Sequence, residues 1–453
     1  MELLPDNVLL EVMQCLDLAD LLACRLVCRR LGALAMLPEA WRHQSLDLVC
    51  IDDGYGLNGP RHNECAVLQL APCLREWELI IPLEKFHTLY TTTRCAVHTL
   101  TFCVEEMSGK DALQVSLLIR NQAALGRLRR LSIGSHVWRS TMDAEDAAVL
   151  LGTVAATTSC LEELQLLGFD CYPPSTLAGL HRSFPGASLK SFEHDLEECP
   201  EAEPFCEFIL STHATTLESV KLGCYYFTST STAALLAGIP NLRSLQCGMM
   251  PGLEAVAGCE QLRDLELCVA YDGEALAAAE FLRRATQLVK VTLDYDEVGM
   301  APSLDVDFVL ALTATEHSRL EALSIKTRDG GPFPQQQSLL KALPHLPALK
   351  HLEVHAEATD ELLLGSTPAT APALRTLKVS RIDVKCAHDA LHRDAVQKLM
   401  SLNPDLKFFT YKLSYCYTDD RCAWCSLGCH QEMRDDSGPP PKYCANYATI
   451  PRL

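Results

Sequence analysis

The sequence is short of basic residues. Its 453 residues include 39 Lys and Arg against 58 Asp and Glu, which gives a formal net charge of −19. Nucleic-acid backbones are bound by clustered cations, so a chain with this balance is a poor nucleic-acid ligand. Apolar residues make up 48% of the chain and charged residues 21%, which is typical of a packed, folded protein. We expect a folded protein without a nucleic-acid partner.

The sequence also lacks the segments that mark membrane and secreted proteins. No run of 18 apolar residues occurs, and the nearest candidate, residues 147–158, is interrupted by Gly152, Thr153 and Thr157. Residues 1–6 carry acids and no basic stretch, unlike a secretory signal. We therefore predict a cytoplasmic and/or nuclear protein without a membrane. Its 22 cysteines should then stay reduced and act mostly as small apolar residues.

Sequence motifs for catalysis are missing as well. There is no G-x-S-x-G, Walker or H-E-x-x-H motif. Gly54, Gly56 and Gly59 do form a G-x-G-x-x-G after the strand-like residues 46–51. However, Asp52 and Asp53 would repel a pyrophosphate, and no doubly wound β-α-β series follows. A surface loop is favoured, and we predict no catalytic residue, no cofactor and no enzymatic activity.

A six-residue pattern, L-x-x-L-x-L with other apolar residues allowed, recurs along most of the chain. Thirteen copies occur at a mean spacing of about 28 residues. They start at Leu74, Val97, Leu128, Leu161, Leu189, Leu217, Leu242, Leu262, Leu288, Leu320, Leu349, Leu374 and Leu406. The last two apolar positions of each copy alternate as on a short strand that faces a shared core. Such spacing is typical of long leucine-rich repeats.

Helical-looking stretches, such as residues 232–238 and 275–284, separate the predicted strands. We therefore predict an α/β fold, a leucine-rich-repeat solenoid with a curved parallel sheet and helices on its convex side. The predicted organisation is a helical module at residues 1–45, a solenoid of about 13 repeats at residues 46–412, and a Cys-rich cap or tail at residues 413–453. The Gly/Pro-rich connectors 51–65 and 328–337 are expected to be surface loops, with partner contact as the alternative.

The first forty residues follow a different, helical pattern. Val8, Val12 and Leu16 lie on one face of a predicted helix. Asp17 is placed to cap a second helix, and a third amphipathic stretch spans residues 28–37. A module this small cannot bury all of its Leu and Val internally, so it needs a partner or a scaffold.

The same residues resemble an F-box. The resemblance covers about residues 2–45 and rests on Leu4-Pro5-Asp6, residues 8–12 and 16–21, Val27-Cys28-Arg29-Arg30-Leu31 and Trp41-Arg42. An F-box followed by leucine-rich repeats is similar to the F-box/leucine-rich-repeat class of ubiquitin-ligase receptors. The recurring Cys-x-x-Ile-Thr-Asp segment of some members is not repeated here, so their substrates are not carried over.

The resemblance implies docking on the Skp-type adaptor of a Skp–cullin–F-box ligase, and through it on the cullin and RING subunits. The residues implied in that interface or its supporting core are Leu4, Pro5, Leu9, Val12, Leu16, Leu18, Leu21, Leu22, Val27, Arg29 and Trp41. The repeats would then bind a protein substrate for ubiquitination. The alternative is a repeat scaffold without a ligase link, in which the helices cap the open end of the solenoid.

The solvent-facing strand positions are predicted to carry charges of both signs. The acids are Glu76, Glu78, Glu163, Glu193, Asp264, Glu266 and Glu353, and the bases are Arg130, Lys221, Lys290 and Lys378. Such a mixed surface suits a protein partner rather than a phosphate track. The substrate-binding candidates are Glu163, Glu193, Lys221, Asp264, Glu266, Lys290, Glu353 and Lys378. A merely solvated sheet face is the alternative for each.

The C-terminal cysteines leave three alternatives open. Cys422, Cys425, Cys429 and His430 have a spacing that could hold structural zinc. No second C-x-x-C is present, so thiol-rich capping without a metal is favoured. A nucleophilic cysteine in residues 422–429 is the third alternative.

Overall fold

The computed structural model describes residues 4–47, 62–82, 88–134, 142–168, 186–195, 202–223, 229–269, 274–295, 306–314, 318–327, 333, 335–357, 359–381, 393–411 and 447–449. The chain divides into two units, Met1–Tyr225 and Tyr226–Leu453. Each unit is described by itself.

The first unit contains helices and a parallel sheet. Its helices are α1 Asp6–Gln14, α2 Leu18–Val27, α3 Arg29–Leu34, α4 Pro38–Trp41, α5 His62–Leu70, α6 Thr88–Thr92, α7 Gly109–Ala124, α8 Ala144–Thr157 and α9 Glu203–His213. Its strands are β1 Ser45–Asp47, β2 Cys73–Ile81, β3 Ala96–Val104, β4 Arg130–Gly134, β5 Glu163–Leu167, β6 Ser191–Asp195 and β7 Ser219–Leu222. Each strand pairs in parallel with the next one along the chain.

The second unit repeats this arrangement. Its helices are α10 Ser231–Ala237, α11 Ala275–Arg284, α12 Phe308–Ala311, α13 Gln336–Ala342, α14 Asp360–Gly365 and α15 Asp394–Leu402. Its strands are β8 Ser244–Gly248, β9 Asp264–Val269, β10 Lys290–Tyr295, β11 Ala322–Thr327, β12 His351–Glu357, β13 Thr376–Arg381, β14 Lys407–Tyr411 and β15 Tyr447–Thr449. Strands β8 to β14 are parallel in chain order, whereas β15 pairs antiparallel with β14.

The core of each unit is built from the six-residue pattern. In the copy that starts at Leu128, all three apolar side chains are buried, and Leu131 is in register with Leu100 and Leu164 of the adjacent strands. The first twelve copies bury all three positions in this way. Parallel neighbours need a crossover connection, and helices supply many of them. The predicted α/β solenoid after an N-terminal helical region is thus confirmed, while the leucine-rich class of the repeats and the three domain boundaries stay predictions.

The thirteenth copy agrees with the structure at Leu406, which is buried, but its second apolar position is wrong by one residue. Its pattern, Leu406 with Phe409 and Tyr411, predicts that Phe409 faces the core. The structure instead pairs Phe408 with Leu377, and Phe408 is buried while Phe409 is half-buried. Two adjacent phenylalanines fit the apolar pattern equally well, and only strand register decides between them.

Buried polar side chains connect one repeat with the next. Gln122 accepts a hydrogen bond from the Val97 N–H (3.0 Å) and donates one to the Cys95 carbonyl (3.1 Å). The hydroxyl of Thr216 donates to the Leu189 carbonyl (2.7 Å). These bonds satisfy backbone groups in buried turns, where an unpaired group is costly.

Most of the described cysteines behave as apolar residues. Eleven are free thiols, of which only Cys15 and Cys28 are exposed. Burial raises the pKa of Cys95 and of Cys247 to about 12, so these thiols stay protonated and unreactive. Cys268 is disulfide-bonded, which departs from the expectation of uniformly reduced thiols.

Among the helices that the structure describes, none is long and apolar enough to cross a bilayer.

Candidate protein-binding surfaces

Helices α1 to α4 surround a small core of their own. Leu9 of α1 and Leu21 of α2 are buried, as is Trp41 at the end of α4. The Trp41 indole N–H donates to the Ala35 carbonyl at 2.6 Å, which satisfies the polar atom of this aromatic side chain. These three predicted residues therefore belong to the module's core.

The ends of the helices are fixed by side-chain caps. Asp17 accepts a hydrogen bond from the Asp20 N–H (2.7 Å), which confirms the predicted N-cap of α2. Cys28 is extended (φ −158°, ψ 165°), separates α2 from α3, and accepts the Leu31 N–H at its Sγ (3.5 Å). Because α2 ends here, Leu26 and Val27 lie in its last turn.

Arg30 fixes the segment that precedes α1. Its guanidinium lies 2.7 Å from Asp6 Oδ1 and also donates to the Leu4 carbonyl. The two bonded residues flank Pro5, which is the N-cap of α1. Sequence reasoning placed Arg29 in the interface and did not single out Arg30.

Exposed apolar side chains are concentrated in this module. Six of the twelve large hydrophobic side chains that are exposed in the described residues lie between positions 4 and 37. They are Leu4, Val12, Leu26, Val27, Met36 and Leu37. Leu26 and Val27 are 88% and 66% exposed. We call these six side chains the N-terminal apolar surface, and such a concentration is typical of an interaction site.

The predicted adaptor residues differ in their solvent exposure. Those exposed are Leu4, Pro5, Val12, Val27 and Arg29, those half-buried are Leu16, Leu18 and Leu22, and those buried are Leu9, Leu21 and Trp41. Leu26, Met36 and Leu37 are exposed and were not in the predicted set. Their apolar character in a module too small to bury it was the available signal.

The module is joined directly to the sheet of the first unit. Strand β1 pairs with β2. Gln44 lies just before β1. Its side-chain Nε2 donates to the Leu16 carbonyl (2.9 Å), and its backbone carbonyl accepts the Arg75 N–H (2.8 Å). Helix α4 also contacts β2, and the Cys73 thiol donates to the Pro38 carbonyl (3.5 Å). The helical module and the first strands therefore form one packed body.

The outward face of the first sheet carries paired charges. Arg130 and Glu163 are neighbours in register and their side chains lie 3.0 Å apart. Glu193 accepts from Gln165 Nε2 (2.7 Å) and lies 3.3 Å from Lys221 Nζ. The structure thus brings the predicted Glu193 and Lys221 together and adds Gln165, which the sequence reasoning omitted.

A second charged network lies on the outward face of the other sheet. Lys326 reaches from β11 to Glu266 on β9 (2.7 Å), and Glu353 on β12 contacts both His355 (2.9 Å) and Lys378 (3.7 Å). The six-residue pattern does not include Lys326 and His355, because its outward strand positions end before them. Both directly follow the last inward residue, where each strand continues.

Asp264 and Lys290, the remaining predicted residues of this face, are exposed and occupy adjacent strands in register. Opposite charges on this face therefore lie next to each other on different strands of the second unit. This face can offer hydrogen bonds of both polarities to a polypeptide, and its described residues form no continuous positive track for phosphates.

The predictions for one loop and for one group of metal-ligand candidates fall outside the described residues. These are the glycine loop at residues 54–59 and the Cys422, Cys425, Cys429 and His430 group. Within the ranges that the structure does describe, no cluster of His, Cys, Asp or Glu could hold a metal ion.

Comparison with known families identifies one part of the chain. Residues 1–47 match the sequence model of the F-box-like family. This range includes α1 to α4 and β1, and it contains all of the N-terminal apolar surface. No curated protein matches the chain significantly. An F-box-like domain fits the role of an adaptor of the Skp–cullin–F-box type, and domains of this class bind Skp-type adaptors.

Proposed function

We propose that this protein is the substrate-recognition subunit of a Skp–cullin–F-box ubiquitin ligase. The observation that carries the proposal is the coincidence of two independent features. Residues 1–47 match the F-box-like family, and the same range holds half of the exposed large hydrophobic side chains found in the described residues. Burying such side chains against a partner is favourable, at about 25 cal/mol for each Å² removed from water.

The adaptor would be held by the exposed members of the predicted set together with Leu26, Met36 and Leu37. The buried Leu9, Leu21 and Trp41 would act indirectly, because they set the positions of the helices that carry the contacts. Cullin and RING subunits would join through the adaptor. The chain itself would contribute no catalytic residue and would act by holding a target near the ligase's catalytic subunits.

The outward strand faces are the proposed sites for a protein target. Glu163, Glu193 and Lys221 lie in the first unit, and Asp264, Glu266, Lys290, Glu353 and Lys378 lie in the second. Their mixed charges favour specificity through complementary pairing rather than high affinity from charge alone. Because β1 belongs to the helical module and pairs with β2, the first of these faces would be held at a fixed geometry to the adaptor.

Co-purification with a Skp-type adaptor tests the proposal. Full-length protein with Leu26→Ser and Val27→Ser, and a second variant with Leu4→Ala and Pro5→Ala, should lose most adaptor binding while remaining folded. Leu276→Ser is the matched control, because Leu276 lies on α11 and is 73% exposed. Absence of adaptor binding by the unmodified protein, or equal binding by all three variants, would overturn the ligase function.

A repeat scaffold without a ligase link is the second candidate. It is favoured by one observation, that the helical module adjoins the first strands of the sheet through β1 and α4, as a cap would. Crosslinked affinity purification from native cells separates the two candidates. A scaffold would recover target proteins without adaptor or cullin subunits, whereas a ligase receptor would recover both.

A further inference from the structure

Helices α7 and α8 carry a second group of exposed apolar side chains. Leu113 and Leu117 on α7 are 52% and 42% exposed, and Val149 on α8 is 49% exposed. Beyond the N-terminal apolar surface, these are all of the exposed large hydrophobic side chains in the described part of the first unit. The two helices pack against each other, so the three side chains belong to adjoining helices.

The charges on these two helices have opposite signs. On α7 the exposed charges are Lys110 and Arg120, because Asp111 is buried in a capping box with Ser108. Helix α8 contains two acids, Glu145 and Asp146, and no base. One helix therefore presents a basic and apolar stripe, and its neighbour presents an acidic and apolar one.

The two stripes are aligned at the beginnings of the helices. The Asp146 carboxylate lies against Gly109, where an added Cβ would stand 1.7 Å from Asp146 Oδ2. The helices follow adjacent parallel strands, so we take them to run in the same direction. Along the common direction of the helix axes, Lys110 then lies beside the Glu145 end of α8, and Leu113 lies beside the turn that contains Val149.

We propose that the first unit forms a symmetric dimer in which α7 of each copy lies on α8 of the other. A two-fold axis parallel to the helices places these stripes face to face without changing their level. Lys110 then meets Glu145 of the other copy, and Leu113 meets its Val149. Arg120 meets the C-terminal end of α8, where the helix dipole favours a cation. Gly152 leaves space for Leu117, because no heavy atom lies within 4 Å of an ideal Cβ there.

The size of the surface predicts a weak, reversible dimer. A helix of 14 residues is about 21 Å long, and two packed helices are roughly 20 Å wide. The footprint is about 400 Å² per copy, half of the roughly 800 Å² that each partner buries in a standard interface. A second copy fits better than an unrelated partner because the opposite charges needed by each helix are present on its neighbour.

Sedimentation velocity on the full chain tests this inference, over concentrations from nanomolar labelled protein to the solubility limit. The unmodified protein should move from monomer to dimer. Lys110→Glu alone and Glu145→Lys alone should each raise the dimer dissociation constant about tenfold or more, because each places like charges opposite one another. An equimolar mixture of these two variants should recover the dimer, since both contacts of the mixed pair are again complementary.

Three controls make the result decisive. Lys341→Glu alters an exposed lysine on α13 and should leave dimerisation unchanged. Leu26→Ser with Val27→Ser should also leave it unchanged, which separates this surface from the N-terminal apolar surface. Circular dichroism establishes that each variant is folded. A monomer at every concentration, as expected if a different protein occupies this surface, or a mixture that fails to recover the dimer, would overturn the inference.

Discussion

Arg30 on α3 lies 2.7 Å from Asp6 at the start of α1, and the same guanidinium donates to the Leu4 carbonyl. Residues 4–6 thereby gain two attachments, one on each side of Pro5, to a helix that follows more than twenty residues later. Both bonds act in addition to the Leu9 N–H, which bonds the Pro5 carbonyl in the first turn of α1. Arg30 is therefore a positioning residue for a predicted adaptor contact.

Arg30→Ala should weaken adaptor binding more than it weakens folding. Both partners of the ion pair are well exposed, so the free energy of unfolding should fall by only about 0–1 kcal/mol. The loosened segment must then be ordered on binding, which should lower the adaptor affinity about threefold to tenfold. Isothermal titration and urea unfolding measure the two effects.

Arg283→Ala is the matched control for Arg30→Ala, because Arg283 forms a similarly exposed ion pair with Glu280 on α11. It should leave adaptor affinity unchanged. Equal affinity of the Arg30→Ala variant and the unmodified protein would show that Arg30 does not position an adaptor contact.

Leu21→Ala should mainly lower the stability of the fold, whereas Val27→Ser should mainly lower the affinity for the adaptor. Leu21 is fully buried, so its truncation should cost about 2–5 kcal/mol of stability. Val27 is 66% exposed, and its replacement should change stability by no more than about 0.5 kcal/mol. Adaptor binding measured below the unfolding transition should fall strongly for Val27→Ser. A Val27→Ser protein that unfolds early and still binds would reverse the assignment of core and contact residues.

The strands of this protein are predictable from sequence because each repeat buries the same three positions. Leu161, Leu164 and Leu166 illustrate this, since all three are fully buried. Prediction fails where two neighbouring residues are equally apolar, as at Phe408 and Phe409. The buried His194 occupies the inward position after Phe192, which agrees with the spacing of the pattern although the side chain is polar.

The binding surfaces were less predictable, for two physical reasons. Leu21 and Val27 are both apolar residues of one short helix, and only the packing of α2 on its neighbours makes one buried and the other exposed. The contacts of Lys326 and Glu266 span β9 to β11, a distance that depends on strand register. Neither relationship is encoded in the spacing of a single repeat.

Gln44→Ala should loosen the attachment of the helical module to the sheet. Gln44 is buried, and its amide donates to the Leu16 carbonyl. Removal leaves that carbonyl without this donor and should cost about 1–3 kcal/mol. Hydrogen exchange should quicken in the α1–α2 connection and at the Arg75 amide, which bonds the Gln44 carbonyl.

Gln165→Ala is the comparison for Gln44→Ala. It removes a half-buried amide that donates to Glu193 on the outward sheet face, where water can replace the bond. We expect unchanged exchange near β1 in this variant. Similar exchange patterns in the two variants would contradict a specific role for Gln44.

His213, at the end of α9, accepts backbone N–H groups in the same way as Gln122 of α7. Its Nδ1 accepts the N–H groups of Ser188 (3.2 Å) and Leu189 (3.4 Å), much as Gln122 accepts the Val97 N–H. The ring is fully buried. Burial lowers the pKa of His213 to about 4, because a charged imidazolium would lose its hydration.

His213→Gln should therefore make the first unit less sensitive to acid. The folded state holds the neutral ring, so the unfolded state, with a His pKa of about 6.5, binds the proton more readily. The neutral ring's contribution to the free energy of unfolding is fully present above about pH 6.5. It is lost as the pH falls towards the folded pKa of about 4. Glutamine keeps the acceptor for Leu189 and does not titrate, so the loss of stability between these pH values should shrink by on the order of 2 kcal/mol.

Some loss should remain, because the buried His194 also has a lowered pKa, of about 3. Urea unfolding at several pH values measures the difference, with the exposed His345→Gln as control. Parallel pH profiles for the unmodified protein and His213→Gln would show that this ring does not limit acid stability.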